Sequence, residues 1–307
     1  MNESNTINLI KDILRSKYIG DDCAFLKELG IVITHDSLVE GVHFDRKTIS
    51  MHQLGYKSIM VNLSDIAASG AKPCYITLSL SLPKEYKDED VAEFYEGCKK
   101  AIKDYEVEIV GGDLTGSDKI FVSVCAIGET ENRKISSRSN ACVGHKIITS
   151  GVHGSSAAGL EILTKNLEPN TDLINAHLMP TAQIEFSTQI STQINCKYAM
   201  MDTSDGLFDA LYKIGTSSNC TMSIDFEKIS YNHKIKKYFK NYKDFIFYGG
   251  EDYQIIATVP ALLLPKLKDY TIIGEVIPFD NSYINLNHNG IVEKIISLED
   301  KCYNHFG

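Results

Sequence analysis

The sequence predicts an α/β protein of mixed α+β character, built as two domains. Strand-like and helix-like stretches alternate along the whole chain, and the pattern restarts near residue 180 after turn-rich breaks at 129–145. With 307 residues, 43% of them hydrophobic and 23% charged, the chain is long enough for two ordinary cores. The expected boundary lies at about 140–146, giving an N-terminal domain over 1–143 and a C-terminal domain over 144–307.

The elements follow in order. The opening MNESNTINLIKDILRSKYIG carries both charge signs and no signal-type apolar core, so it predicts a first helix. IVITHDSL at 31–38 is β-branched and apolar, which predicts a buried strand. HQLGYKSIMVNLSDIAASG at 52–70 has helical spacing and a stop signal at Gly70. CYITLSLSL at 74–82 alternates like a half-buried strand, and 88–105 is an amphipathic helix. Strands are expected in VEIVGG and IFVSVCAIGE, and again in KIITSG at 146–151, which leads through a glycine-punctuated turn into the helix SSAAGLEILTK. The second half predicts a helix in TAQIEFSTQIST, a strand in YAMMD, a helix in DGLFDALYKIG and strands in TMSIDF and TIIGEV. An N-H-N-G hairpin precedes IVEKII.

Composition excludes several classes. No apolar run approaches the roughly 20 residues a bilayer span needs, so no membrane partner is expected. Eight cysteines lie scattered without a C-x-x-C pair, which predicts reduced thiols in a cytoplasmic protein, with neither a disulfide framework nor a cysteine zinc site. The net charge of −9 argues against a nucleic-acid partner. It also means that any polyanionic ligand must arrive with cations.

The residues that point to chemistry are aspartates beside apolar stretches: Asp21 and Asp22 in IGDDCAFL, Asp36 in ITHDSLV, Asp65 in NLSDIAASG, Asp113 in VGGDLTG, and Asp202 and Asp205 in MMDTSDGL. Asp36, Asp113 and Asp202 directly follow apolar runs, where a carboxylate is expected to project from a sheet rim. Each alone reads as a helix cap or turn residue. As a set they suit magnesium, which takes separated carboxylates together with water and phosphate oxygens. No G-x-x-x-x-G-K-[ST] loop and no protein-kinase signature is present.

IGDDCAFL, DSLVEGVHF, LGYKSIMVNLSDIAASGAKP, VGGDLTG, SAAGLEIL, DTSDGL, GGEDY and the terminal CYNHFG, in this order, resemble the thiamine-monophosphate kinases over nearly the whole chain. The resemblance implies the fold of the aminoimidazole-ribonucleotide-synthetase relatives, with N-terminal domains pairing as a sheet or barrel in a homodimer and an α/β C-terminal domain. It implies ATP and thiamine monophosphate as substrates and Mg2+ as cofactor. By motif position it implies Asp22, Thr34, Asp36, Asp65, Asp113, Asp202 and Asp205 as magnesium ligands, with Asp36 and Asp205 central to catalysis. Tyr105, Gly112, Asp113, Arg138 and Ser204 are implied as ATP contacts, and His43, Glu251 and Tyr303 as contacts to thiamine phosphate. A lone histidine after a strand and a C-terminal tyrosine read without the family as surface or packing residues.

The chain departs from the family pattern at four places. His35 stands where a small hydroxyl residue is usual, Leu114-Thr115-Gly116 replaces a T-T-R string, Ser155 replaces an aspartate, and Met179-Pro180-Thr181-Ala182-Gln183 lacks arginines. Two alternatives follow. Another ATP-dependent enzyme of the superfamily would need features absent here, such as a reactive N-terminal cysteine with a lysine or a cysteine at the extreme C-terminus. A catalytically silent nucleotide-binding regulator is the reading that the departures near Gly116 and Gln183 would favour.

Overall fold

The computed structural model describes residues 3–298 and 301–302. In chain order the helices are α1 (Glu3–Leu14), α2 (Met51–Ser69), α3 (Asp88–Ile102), α4 (Ser155–Thr164), α5 (Thr171–Leu178), α6 (Ile184–Ser191), α7 (Leu207–Ser218), α8 (Ile235–Tyr238) and α9 (Tyr242–Tyr248). The strands are β1 (Ala24–Leu26), β2 (Ile31–Val39), β3 (Lys72–Leu82), β4 (Glu108–Gly116), β5 (Phe121–Glu129), β6 (Lys146–Thr149), β7 (Ala199–Asp202), β8 (Cys220–Asp225), β9 (Ile255–Val259), β10 (Thr271–Pro278), β11 (Ile284–His288) and β12 (Ile291–Ile295).

They form two sheets. The first has the order β1-β2-β5-β3-β4, and the second β12-β11-β8-β10-β6-β9-β7. Both are mostly antiparallel. The parallel pair β3–β4 is bridged by α3, since parallel neighbours need a crossover. The first sheet is open in a single chain, with β1 and β4 at its edges.

The expected strands and helices are present at most of the proposed places, with two differences that matter for the site. Asp36 and Asp113 lie inside β2 and β4 rather than at a sheet rim. Each strand continues past its aspartate: Leu38 turns inward after Asp36, and Leu114 to Gly116 stay in register with Leu80 to Leu82. Only Asp202 ends its strand.

The central element is α2. Ser50 and Gln53 close its N-terminus with a reciprocal capping box, and it ends at Gly70. It packs against β2, β3 and β5 on one side and against β7, α5 and α6 on the other. Fifteen of its nineteen residues are buried, so it has no solvated face. One apolar core accordingly joins Ile59, Leu63 and Ile66 of α2 to Val32, Leu78 and Val124 of the first sheet and to Ile148, Met200 and Ala257 of the second. No helix among the described residues is long and apolar enough to cross a membrane.

Candidate active site

A helix buried on all sides must satisfy its polar side chains internally, and those of α2 build the site. Lys57 and Ser64, seven residues apart, reach elements from the second half of the chain. Lys57 Nζ lies 2.9 Å from Glu251 Oε2, and the Ser64 hydroxyl donates to Asp202 Oδ2 at 2.6 Å. Asn62 and Asp65, three apart, reach β2. The Asp36 amide donates to Asn62 Oδ1 at 3.1 Å, and the Thr34 hydroxyl donates to Asp65 Oδ2 at 2.5 Å. Thr34 and Asp36 share the inward face of β2 with Val32 and Leu38. His35 is on the other face, where its Nε2 meets the Ser123 hydroxyl at 2.7 Å. Only its main chain can serve a metal on the inner side.

Asp22, Asp65 and Asp202 converge, each offering a carboxylate oxygen within 4.8 Å of the others. Arg138 Nη2 lies 2.9 Å from Asp22 Oδ1, on one side of the group. One guanidinium does not balance the cluster. Burial first, then the charges of Asp36, Asp202 and Asp22, push Asp65 well above the carboxylate range. Burial, then Asp22, pushes Asp202 up to about 7. The Asp202 Oδ1 atom is buried and has no hydrogen-bond partner among the described residues. Crowded, under-neutralised oxygens of this kind are what a hard divalent cation takes up, so the donor set fits magnesium.

Asp205 and Ser204 follow Asp202 in the loop before α7. Lys213 of α7 bridges Asp205 at 3.1 Å and Asp209 at 2.7 Å. The GGEDY loop lies against this one. The Glu251 amide donates to the Ser204 carbonyl at 2.7 Å and the Thr203 amide to the Gln254 carbonyl at 2.8 Å. A Cβ on Gly250 would stand 2.7 Å from the Ser204 oxygen, so only glycine permits this approach. Glu251 and Tyr253 take left-handed conformations, with φ of 64° and 50°, which the neighbouring loop holds in place. Asp252 accepts from the amides of Gly154 and Ser156, closing the N-terminus of α4 with a carboxylate.

Glu251 carries the opposite electrostatics to the aspartates. Burial pushes its pKa up, but Lys57 and then His177 outweigh that and hold it at about 2. His43 lies in the turn after β2, where its Nδ1 accepts the Val39 amide at 2.9 Å, making Nε2 the protonated nitrogen.

Three expected positions lie away from this cluster within one chain. Asp113 pairs in register with Ser79, Ser79 with Ser123, and Ser123 with Ser37. That places it on the outward face, three strands from β2, at about 14 Å from the strand spacing. Gly112 sits beside it, and a Cβ there would stand 1.8 Å from the Leu78 carbonyl oxygen, a packing reason for glycine. Tyr105, half-buried after α3, packs with the first core and feels Tyr56 and Glu185. Tyr303 lies outside the described residues. Sequence reasoning missed Lys57, Asn62, Ser64 and His177. The available signal was polar residues inside a helix with no solvent-facing stripe.

Residues 20–130 match the family profile described as AIR synthase related protein, N-terminal domain. Fold, acidic cluster and profile match together place the chain in the AIR-synthase-related class. Solved structures of hydrogenase maturation protein HypE share that fold; one, in complex with ATP, has a TM-score of 0.74 at 18% identity over 96% of this chain and 95% of that one. Sequence similarity narrows the class. The chain is 38% identical to the thiamine-monophosphate kinase of Aquifex aeolicus (strain VF5), over 90% of this chain and 92% of that protein. It is 32% identical to that of Bacillus subtilis (strain 168), over 94% and 93%. A structure of AaThiL complexed with AMPPCP and TMP superposes with a TM-score of 0.89 at 37% identity, covering 99% of this chain and 97% of that one. This chain belongs to the thiamine-monophosphate kinase family.

Proposed function

We propose that the chain transfers the γ-phosphoryl group of ATP to thiamine monophosphate, giving thiamine diphosphate and ADP. The observation that carries this reading is the cluster of Asp22, Asp65 and Asp202, with its orphaned Asp202 oxygen, in a chain related over nearly its full length to kinases of this substrate. The relative complexed with AMPPCP and TMP supports the same pair of ligands.

The acceptor phosphate has a second pKa of about 6, so its oxygen attacks as an anion and no general base is needed. A bond forms from that oxygen to the γ-phosphorus, and the bond to the β,γ-bridging oxygen breaks, leaving the electron pair on ADP. The obstacle is repulsion, about 4 kcal/mol for each pair of unit charges 4 Å apart at an effective dielectric near 20. Magnesium, when bound, supplies the positive charge that the aspartates lack and that two phosphates require. Asp22, Thr34, Asp36, Asp65, Asp202 and Asp205 would hold it, with Asp36 and Asp205 central to catalysis. Arg138 and Ser204 bind ATP. His43, Glu251 and Tyr303 bind the thiamine end.

The remaining assignments concern assembly. We infer two domains, 1–143 and 144–307, and a homodimer formed through the first. The edge strand β4 exposes Val110 and Leu114 at 55% and 62%, an apolar edge that a second copy would cover. In that dimer Tyr105, Gly112 and Asp113 serve the site of the partner subunit. Mixing inactive Asp36→Asn and Asp113→Asn chains tests this, because composite sites regain activity in the mixed dimer and self-contained sites do not. The kinase reading itself is tested by ADP release with thiamine monophosphate present or withheld. Equal release in both would end it.

A further inference from the structure

Glu251 is held by more than its own loop. Lys57 Nζ lies 2.9 Å from its Oε2, and His177 Nδ1 lies 3.1 Å from the same oxygen. The Ser156 hydroxyl lies at the same 3.1 Å from His177 Nδ1 and accepts from it beside Glu251. Lys57 is 1% exposed and His177 4%, whereas the Glu251 side chain keeps 25% of its surface. Both nitrogens therefore approach from the interior, and Oε1 has no hydrogen-bond partner among the described residues. Burial, then Lys57, lowers the His177 pKa, so near neutral pH the ring acts as a neutral N–H donor.

We propose that Lys57 and His177 are positioning residues, which clamp one oxygen of Glu251 so that the other meets the cationic, aminopyrimidine-bearing end of the acceptor. This rests on the reading that Glu251 touches the thiamine moiety. The asymmetry supports the role. A pair needed only to join two halves of the chain has no reason to leave one oxygen open, and apolar residues fill such a position as well or better. The Glu251 amide is already tied to Ser204, and its φ of 64° fixes the main chain, so side-chain torsion is the freedom left to remove. The Lys57 ammonium, with the His177 ring packed 3.1 Å from the same oxygen, removes it.

Steady-state kinetics on Lys57→Gln, Lys57→Arg, His177→Asn, Glu251→Gln and the Lys57→Gln/Glu251→Gln double variant test the proposal. Lys57→Gln should raise KM for thiamine monophosphate about tenfold while KM for ATP and kcat stay within about twofold, the pattern of lost acceptor binding. Lys57→Arg should restore most of the affinity, and the double variant should be no worse than Glu251→Gln alone. Equal changes in both KM values and kcat, or additive effects in the double variant, would overturn the positioning role. A Glu251→Gln variant with normal acceptor KM would instead overturn the assignment of Glu251, and the proposal with it. Circular dichroism and Tm establish folding. If Lys57→Gln does not fold, His177→Asn carries the same kinetic comparison.

Discussion

The aspartate cluster and the Glu251 node are linked through the hydrogen-bonded loops at 202–206 and 249–254, yet their charges are balanced in opposite ways. Asp22, Asp65 and Asp202 gather three carboxylates beside one guanidinium, and Asp202 is driven up to about 7. Glu251 gathers two nitrogen donors around one carboxylate and is held at about 2. The most deeply buried cation, Lys57, pairs with a single carboxylate at the end assigned to the organic part of the acceptor, whereas Arg138 and Lys213 are outnumbered by the aspartates at the other end. That other end, assigned to phosphates, is left short of positive charge. A site that imports its cations along with its substrate needs that deficit.

The largest expected effect attacks the deficient end. Asp36→Asn or Asp205→Asn should lower phosphoryl transfer about 10³-fold or more with an unchanged circular-dichroism spectrum, and omitting magnesium should do the same to the parent protein. Near-normal turnover in both variants would remove the metal assignment. Next comes the cost of the crowding itself. Without divalent cations, Asp202→Asn should melt several degrees above the parent, because it removes one of several mutually repelling buried charges. Saturating magnesium should raise Tm of the parent and much less that of the variant. A parent whose Tm ignores magnesium would contradict the comparison.

The satisfied end predicts the opposite pH behaviour. The folded pKa of Glu251, about 2, lies below its ordinary value of 4.5. Its contribution is therefore complete above about pH 4.5 and is lost as pH falls toward 2, amounting to about 3 kcal/mol. Urea titrations across that window should show this acid loss in the parent and a flatter profile in Lys57→Met, which starts from lower stability. The metal-free Asp202 has a raised folded pKa, so its contribution runs the other way: stability rises as pH falls below about 7. Smallest of all, Thr34→Val removes one hydrogen bond to Asp65 and should cost about 1 kcal/mol, measured by denaturant unfolding.

Much of this was legible beforehand, for reasons tied to particular residues. β3 announces itself through alternation, β2 through its β-branched apolar run, and α2 through helical spacing and its stop at Gly70. The short helices α5, α8 and α9 passed unnoticed, because four to eight residues, such as YKDFIFY, are too few to establish a 3.6-residue period. His177 rides on α5 and went with it. Lys57 was overlooked because a lysine in a helix ordinarily marks a solvated face, and burial on every side becomes visible only once both sheets are packed around α2.

By itself, the sequence determined the alternating α/β elements, the acidic residues worth suspecting and the family to which they belong, since these are properties of local pattern and motif order. Tertiary structure alone decided which aspartates share a cleft, that Asp113 points away from them within one chain, and that Lys57 and His177 flank Glu251. Those facts depend on contacts between segments as far apart as 194 positions along the chain. They also depend on burial, which sets whether a carboxylate is stranded or compensated and which no local pattern encodes.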